Sequence, residues 1–283
     1  RCLNVPYGDL YHFCNDLVYK VHPYRWPTIG LSVDDIKNAS HEDIKSFFAQ
    51  HYAVNNLILC VSGHIEFEKA VALSEKWFGD FAPANIPVRN LPQEPVQTEQ
   101  RFMSVKREVP QNVLTMMYHM CGRCDADYQV CDMLSDVLSN GMSSRFYRNV
   151  LVKSGLFTEL DASVSGTYDP GLFIVRARLA DGVSFDKAKD AIDAELADFV
   201  SNGATAYEIE KCANKYESTR LFDMITYEKK GVKLCQYELL GDAADINKEV
   251  GKYRCITQDR LMNVAKNLLN PDNCSILYYG PDA

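Results

Sequence analysis

With 283 residues and 47% hydrophobic content, the chain is long enough for one large domain or two smaller ones, and its make-up is that of a globular protein. A net charge of −8 excludes the broad Lys/Arg surface that nucleic acid requires, and no apolar run approaches the ~18 residues of a membrane span. Ten cysteines fall below the ~8–10% of a disulfide-stapled domain, and several, such as Cys60 and Cys274, sit in apolar runs as small hydrophobes.

Residues 1–81 read as helix, helix, strand, helix. The run V-H-P-Y-R-W-P-T-I-G covers Val21 to Gly30. Ser40 with Asp43 makes a capping box, and Ile44, Phe47, Phe48 and Tyr52 form one apolar stripe behind it. Leu57 to Val61 has the length and content of a buried strand closed by Gly63, and Phe67 to Phe78 is amphipathic. One strand with three helices cannot make a stable sheet, so this piece reads as the back half of a domain. Residues 82–98 hold Pro83, Pro87, Pro92 and Pro95 and keep no period, the signature of an extended linker.

Residues 99–283 read as a complete α+β unit. Two strands, Arg101 to Arg107 and Val113 to His119, flank Pro110-Gln111. A helix from about Asp125 to Leu138 and a second from about Ser144 follow, joined by Ser139-Asn140-Gly141. Leu160 to Thr167 and Leu172 to Leu179 form a hairpin across Asp169-Pro170-Gly171. A long helix carries Phe185, Ala188, Ile192, Leu196 and Phe199, and Thr205 with Glu208 caps the next. A helix from about Gln258 and the strand Cys274 to Tyr279 close the chain. Hairpins and grouped helices predict a largely antiparallel sheet. There is also a repeat: sliding Glu42 onto Asp259 brings Ile44 onto Leu261, Tyr52 onto Leu269, Asn56 onto Asn273 and Gly63 onto Gly280.

Cys121-Gly-Arg-Cys124, with Cys131 and His119, offers four metal ligands on paper, but the spacing matches no common zinc pattern and the thiols read as incidental. His41 and His51 lie nearly three helical turns apart, too far to chelate one ion.

The Val21–Gly30 run, the Phe47-Phe48 helix and N-N-L-I-L-C-V-S-G-H (Asn55 to His64) together resemble, in order, the stretch that follows the metal site in the pitrilysin / mitochondrial-processing-peptidase inverted zincins, peptidase family M16. L-S-N-G-M-S-S-R-F-Y (Leu138 to Tyr147) is similar to that family's Gly-x-x-Ser-Ser-Arg turn, and Y-D-P-G-L-F-I-V (Tyr168 to Val175) also fits. The resemblance implies tandem two-layer α/β lobes of the LuxS/MPP-like metallohydrolase type. The first lobe (1–81) would be truncated and lack the zinc motif, and the second (99–283) would be complete, with 82–98 between them.

The family's zinc sits on His-x-x-Glu-His, whose histidines share a helix face while the Glu acts as general base. The metal lowers the pKa of its water to about 7. None of His12, His22, His41, His51, His64 and His119 falls in that motif. The resemblance therefore implies a Zn2+ site of the intact protein upstream of Arg1, and no catalytic residue, metal ligand or cofactor in this chain. Many members also bind the substrate backbone with an Arg and a Tyr in the pattern Arg-x-x-x-Gly-Leu-x-Tyr. With Gly155 and Leu156 as anchors those positions are Leu151 and Thr158, which cannot donate the same hydrogen bonds. Tyr147 and Arg148, a turn away, are the candidate substitutes.

The expected function is the substrate-enclosing carboxyl-terminal portion of a zinc metalloendopeptidase, inactive by itself. The alternative is a non-catalytic homologue acting as scaffold or partner subunit. Expected partners are a peptide substrate, the missing amino-terminal half of the same protein, and a second copy or paralogous subunit; neither nucleic acid nor a membrane span is expected. The thiol content points to a reducing compartment, the cytoplasm, with periplasm or organelle left open because the chain begins at Arg1 rather than Met.

Overall fold

In a computed structural model that describes residues 5–30 and 32–283, the chain forms α1 (Leu10–Val18), α2 (Val33–Asn38), α3 (His41–His51), α4 (Phe67–Phe78), β1 (Arg101–Lys106), β2 (Val113–His119) and α5 (Tyr128–Ser139). A π-helical turn, Phe146–Leu151, continues as α6 (Val152–Ser154). Then come β3 (Phe157–Val164), β4 (Leu172–Leu179), α7 (Phe185–Asn202), α8 (Ala206–Asp223), α9 (Tyr227–Leu240), α10 (Glu249–Arg254), α11 (Gln258–Leu268) and β5 (Cys274–Gly280). The described residues fall into two compact units.

One unit holds the residues up to Trp26, Pro92–Tyr216 and Val250–Ala283. Its five strands lie in the order β1-β5-β2-β4-β3, with β1 parallel to β5 and every other pair antiparallel. Strand period two divides the side chains between two faces. Leu114, Met116 and Tyr118 of β2, and Phe173, Val175 and Ala177 of β4, enter the larger core with Leu134 and Leu138 of α5, Ile192 and Phe199 of α7, and Leu261 and Ala265 of α11. The intervening residues point the other way. There Met117, Leu277 and Tyr279 are sealed by Cys14, Leu17 and Val18 of α1. On that outer face β4 adds Leu172 and Ile174 to the α1 cluster at one end and presents Arg176 and Arg178 at the other.

Arg145, in the Ser-Ser-Arg turn, explains how the helical layer is tied. Its guanidinium donates to Glu208 at 2.8 and 3.0 Å and to the Gly203 carbonyl at 2.6 Å, and lies 4.9 Å from the Phe199 ring centre. Glu208 is also the acidic half of the Thr205 capping box, accepting from the Thr205 amide at 2.8 Å. One ion pair thus joins the π-helical turn, the end of α7 and the start of α8. The turn closes at Gly155, whose φ of 66° is the left-handed conformation open to glycine.

The second unit comprises Pro27–Leu91 and Glu217–Glu249. Both capping boxes at its front, Ser32 with Asp35 and Ser40 with Asp43, are formed. The strand expected at Leu57–Val61 is not. Its backbone is extended, with φ −119° and ψ 144° at Leu57, but no strand pairs with it among the described residues. Leu57 and Leu59 are 51% and 58% exposed. An extended segment becomes a strand only when another backbone takes its N–H and C=O groups.

The repeat is nevertheless structural. Glu42 on Asp259 places α3 on α11, end to end, and the 3-10 turn Val54–Asn56 on Pro271–Asn273. Asn56 donates to the His51 carbonyl at 2.8 Å, as Asn273 does to that of Leu268 at 2.9 Å. Gly63 and Gly280 share φ of 156° and 155°. The second copy has sheet partners for its strand; for the first none lies among the described residues.

Candidate functional site

The sequence runs singled out at His22 and Asp169 meet in space. His22 Nε2 lies 3.3 Å from the Asp169 carboxylate, and the Tyr24 hydroxyl accepts from the Asp169 amide at 3.2 Å. From the proline-rich segment, Glu94 accepts the amides of Lys20, Val21 and His22 at 2.7, 3.0 and 3.0 Å. Burial alone would raise its pKa, but these donors outweigh it and hold the carboxyl below its ordinary value. Arg101 donates to the last carbonyls of α1, Leu17 and Val18, where a helix terminus favours a cation. At the other end Asp9 accepts from the Tyr279 hydroxyl and pairs with Arg107 at 2.9 Å. Charged groups therefore fix α1 on the sheet at both ends.

Fixing α1 there creates a cavity of about 420 Å3 between it and the β2–β4–β3 face. Tyr11 and Cys14 of α1, with Tyr7 in the turn before it, form one wall. Val113, Thr115 and Ile174 line the floor, and Arg176, Arg178, Asp161 and Ser163 complete it on β4 and β3. Its charges follow from register. Thr115 lies opposite Arg176, which lies opposite Asp161; Val113 lies opposite Arg178, which lies opposite Glu159. The Arg–carboxylate pairs span 3.4 and 3.0 Å. Burial raises the Asp161 pKa against the pull of Arg176, and burial pushes the Cys14 thiol up to about 12, so it stays protonated at neutral pH. Tyr7 has a left-handed backbone, φ 64°. Its hydroxyl donates to the Gln111 carbonyl at 3.0 Å and accepts from the Gln111 amide at 2.9 Å, and the Arg178 guanidinium lies 5.0 Å from its ring centre.

None of Tyr147, Arg148, Leu151 and Thr158 lines this cavity. Tyr147 is half-buried and Arg148 exposed on the π-helical turn, whose Phe146 and Val150 enter the larger core on the other face of the sheet. Leu151 packs against that core. Thr158 occupies a bulge at the start of edge strand β3, between the paired residues Phe157 and Glu159, and donates to the Gln111 side chain at 3.3 Å. The Arg-Ala-Arg alternation of β4 marks a polar face in the sequence; Tyr7 and Thr115 carry no such mark.

Zinc does not fit the residues present. Among the described residues no group of three or more His, Cys, Asp and Glu is placed to hold a metal. His22 is paired with Asp169, and burial, with Arg101 nearby, lowers the pKa of His119. Cys121 and Cys131 lie against each other, and Cys124 is exposed. No helix of the described residues is long and apolar enough to cross a membrane.

The sequence profile described as "Peptidase M16 inactive domain" matches residues 38–216. The chain is 28% identical over 216 residues to the zinc protease PqqE of Helicobacter pylori, covering 75% of this chain and 48% of that protein. It is 24% identical over 249 residues to an uncharacterized zinc protease of Streptomyces coelicolor, covering 86% and 54%. The chain thus spans about half the length of these curated relatives. A solved protease from Helicobacter pylori superposes with a TM-score of 0.90 at 22% identity, over 99% of this chain and 68% of that one. The peptidase M16 inactive domain from Pseudomonas fluorescens superposes at 0.85 and 18%, over 98% and 66%.

Proposed function

Because this chain belongs to peptidase family M16, through its inactive domain, we propose that it is the carboxyl-terminal portion of a zinc metalloendopeptidase, supplying the lobe that encloses the substrate. In this reading residues 1–81 complete a first lobe whose remainder precedes Arg1, and 99–283 are the second lobe. The observation that carries it is the repeat. Residues 41–63 reproduce the local structure of 258–280, yet their apolar extended segment has no sheet among the described residues, and the relatives have about twice the sequence. The partner strands and the zinc ligands would come from the amino-terminal half of the same polypeptide. The site of action would be a reducing compartment, consistent with the free thiols.

The test begins with the residues encoded upstream in the same reading frame. His-x-x-Glu-His, and a Glu close before Arg1, are expected there. The protein extended through them should cleave unstructured peptides and lose that activity to a chelator. Absence of the motif removes the peptidase reading. The 283-residue chain alone should show no chelator-sensitive turnover.

A second reading, a non-catalytic scaffold or subunit for an active paralogue, is favoured by Leu151, which has no polar atom, and Thr158, which reaches less far than a phenol. Tyr147 and Arg148 separate the two: Arg148→Ala should raise the KM of the extended enzyme if Arg148 substitutes for the missing guanidinium, and leave it unchanged if the turn only packs.

A further inference from the structure

We propose that the cavity between α1 and the β2–β4–β3 face is a peptide subsite that takes a tyrosine side chain adjacent to an acidic residue. The inference rests on reading this lobe as substrate-facing, and three separate features carry it.

The first is Thr115. It is 2% exposed, it lines the cavity, and its Oγ1 has no nitrogen or oxygen partner, only the weakly bonding Cys14 thiol beside it. The surrounding floor, Val113, Leu172 and Ile174, is apolar. A purely apolar side chain entering there leaves the hydroxyl with that weak partner alone. A phenol meets the walls with its ring and the hydroxyl with its own, which is why buried tyrosines so often combine packing with one polar contact. A volume of about 420 Å3 lies within the ~300–1,000 Å3 of small-ligand sites, enough for a side chain and its adjoining backbone.

The second is the charge beside it. Arg176 and Arg178 project from the same face of β4, two residues apart. They are 47% and 42% exposed and paired with one carboxylate each, Asp161 and Glu159. A guanidinium has five N–H donors, so a single partner leaves several directed elsewhere. Asp161 and Glu159 balance the two guanidiniums, so selection rests on the N–H donors left over, which a carboxylate accepts and an ammonium cannot.

The third is Tyr7. A non-glycine residue at φ 64° is strained, and such residues persist where surrounding contacts over-determine them, often beside ligand sites. The two hydrogen bonds to Gln111 fix the ring against Arg178, which limits the freedom that guanidinium would lose on binding.

The experiment is calorimetric titration of the 283-residue chain, at low salt, with acetylated and amidated hexapeptides that differ only at two central positions: Tyr-Glu, Phe-Glu, Tyr-Gln and Tyr-Lys. Tyr-Glu should bind about tenfold more tightly than Phe-Glu and than Tyr-Gln, with Tyr-Lys weakest. Thr115→Val should abolish the Tyr-over-Phe preference and keep Glu over Gln. Arg176→Gln with Arg178→Gln should do the reverse, and Ser163→Trp, on the exposed edge strand, should block all four peptides. Equal binding of the four peptides, no binding at all, or a preference that survives its matching substitution overturns the proposal. The peptide series on the unaltered chain stands whether or not the variants fold. The assay contains no hydrolysis step. Ordered binding without chelator-sensitive cleavage by the extended protein would therefore remove the peptidase and keep the subsite; cleavage without ordered binding would remove only the subsite.

Discussion

Arg145 and Glu208 show how one residue in a recognisable turn can be structural rather than chemical. Their side chains are 12% and 18% exposed, so the pair is largely withdrawn from water. Burial alone would raise the Glu208 pKa, yet Arg145 and Thr205 outweigh it and bring it to about 2. A carboxyl depressed in the folded state contributes stability above its unfolded pKa and loses it as pH falls through the folded one. The pair's contribution should thus be complete above about pH 4.5 and fade toward pH 2. Arg145→Ala leaves Glu208 buried without its partner and should cost about 3 kcal/mol in urea unfolding at pH 7. Arg145→Lys should recover only part of that, because an ammonium cannot reproduce the fork. In Glu208→Gln the loss between pH 4.5 and 2 should shrink. A shift under about 0.5 kcal/mol for Arg145→Ala would mean that the turn is held by packing alone. Tyr7 and Thr115 are the opposite case: nothing in their neighbouring sequence marks them, because what distinguishes them is the wall and floor they share with residues far along the chain.

Among elements, the informative comparison is between α3 with Leu57–Val61 and α11 with β5. The helices, the 3-10 turns, the Asn side-chain bonds and the closing glycines coincide because capping, turn chemistry and backbone conformation are local. The sheet does not, because pairing is non-local. Amide hydrogen exchange on the chain should therefore find Leu57–Val61 unprotected and Ile276–Tyr279 strongly protected. The protein extended upstream should protect both, and protection of Leu57–Val61 in the present chain would show that it already has a partner. α1 offers a second test. Glu94→Ala removes the acceptor of three amides, so Lys20, Val21 and His22 should exchange at least several-fold faster while the amides of β2 and β4 do not change. The proline count marks residues 82–98 as a linker, but it gives no sign that Glu94 within it anchors the His22 turn.

At the scale of the whole molecule, the large side chains exposed on the second unit, among them Phe47, Phe48, Leu59, Phe67 and Trp77, are the apolar stripes that the sequence marks as core-facing. The purified chain should bind a hydrophobic dye such as ANS, and the upstream-extended protein should bind much less; equal dye binding would show that these residues are surface in the intact molecule too. The capping boxes, the helices they start, the β4 alternation, the repeat and the family resemblance are all carried by patterns within a few turns of chain, set by side-chain period, turn geometry and local hydrogen bonding. For that reason the sequence by itself determined the α+β class and the local likeness of residues 41–63 to 258–280. Strand order, the burial of one copy against the exposure of the other, the clamp on α1 and the cavity beneath it depend on which distant segments meet. Only the tertiary structure decided these, since a hydrogen bond from the His22 amide to Glu94 or a row from Thr115 through Arg176 to Asp161 exists only once folding has brought remote residues together.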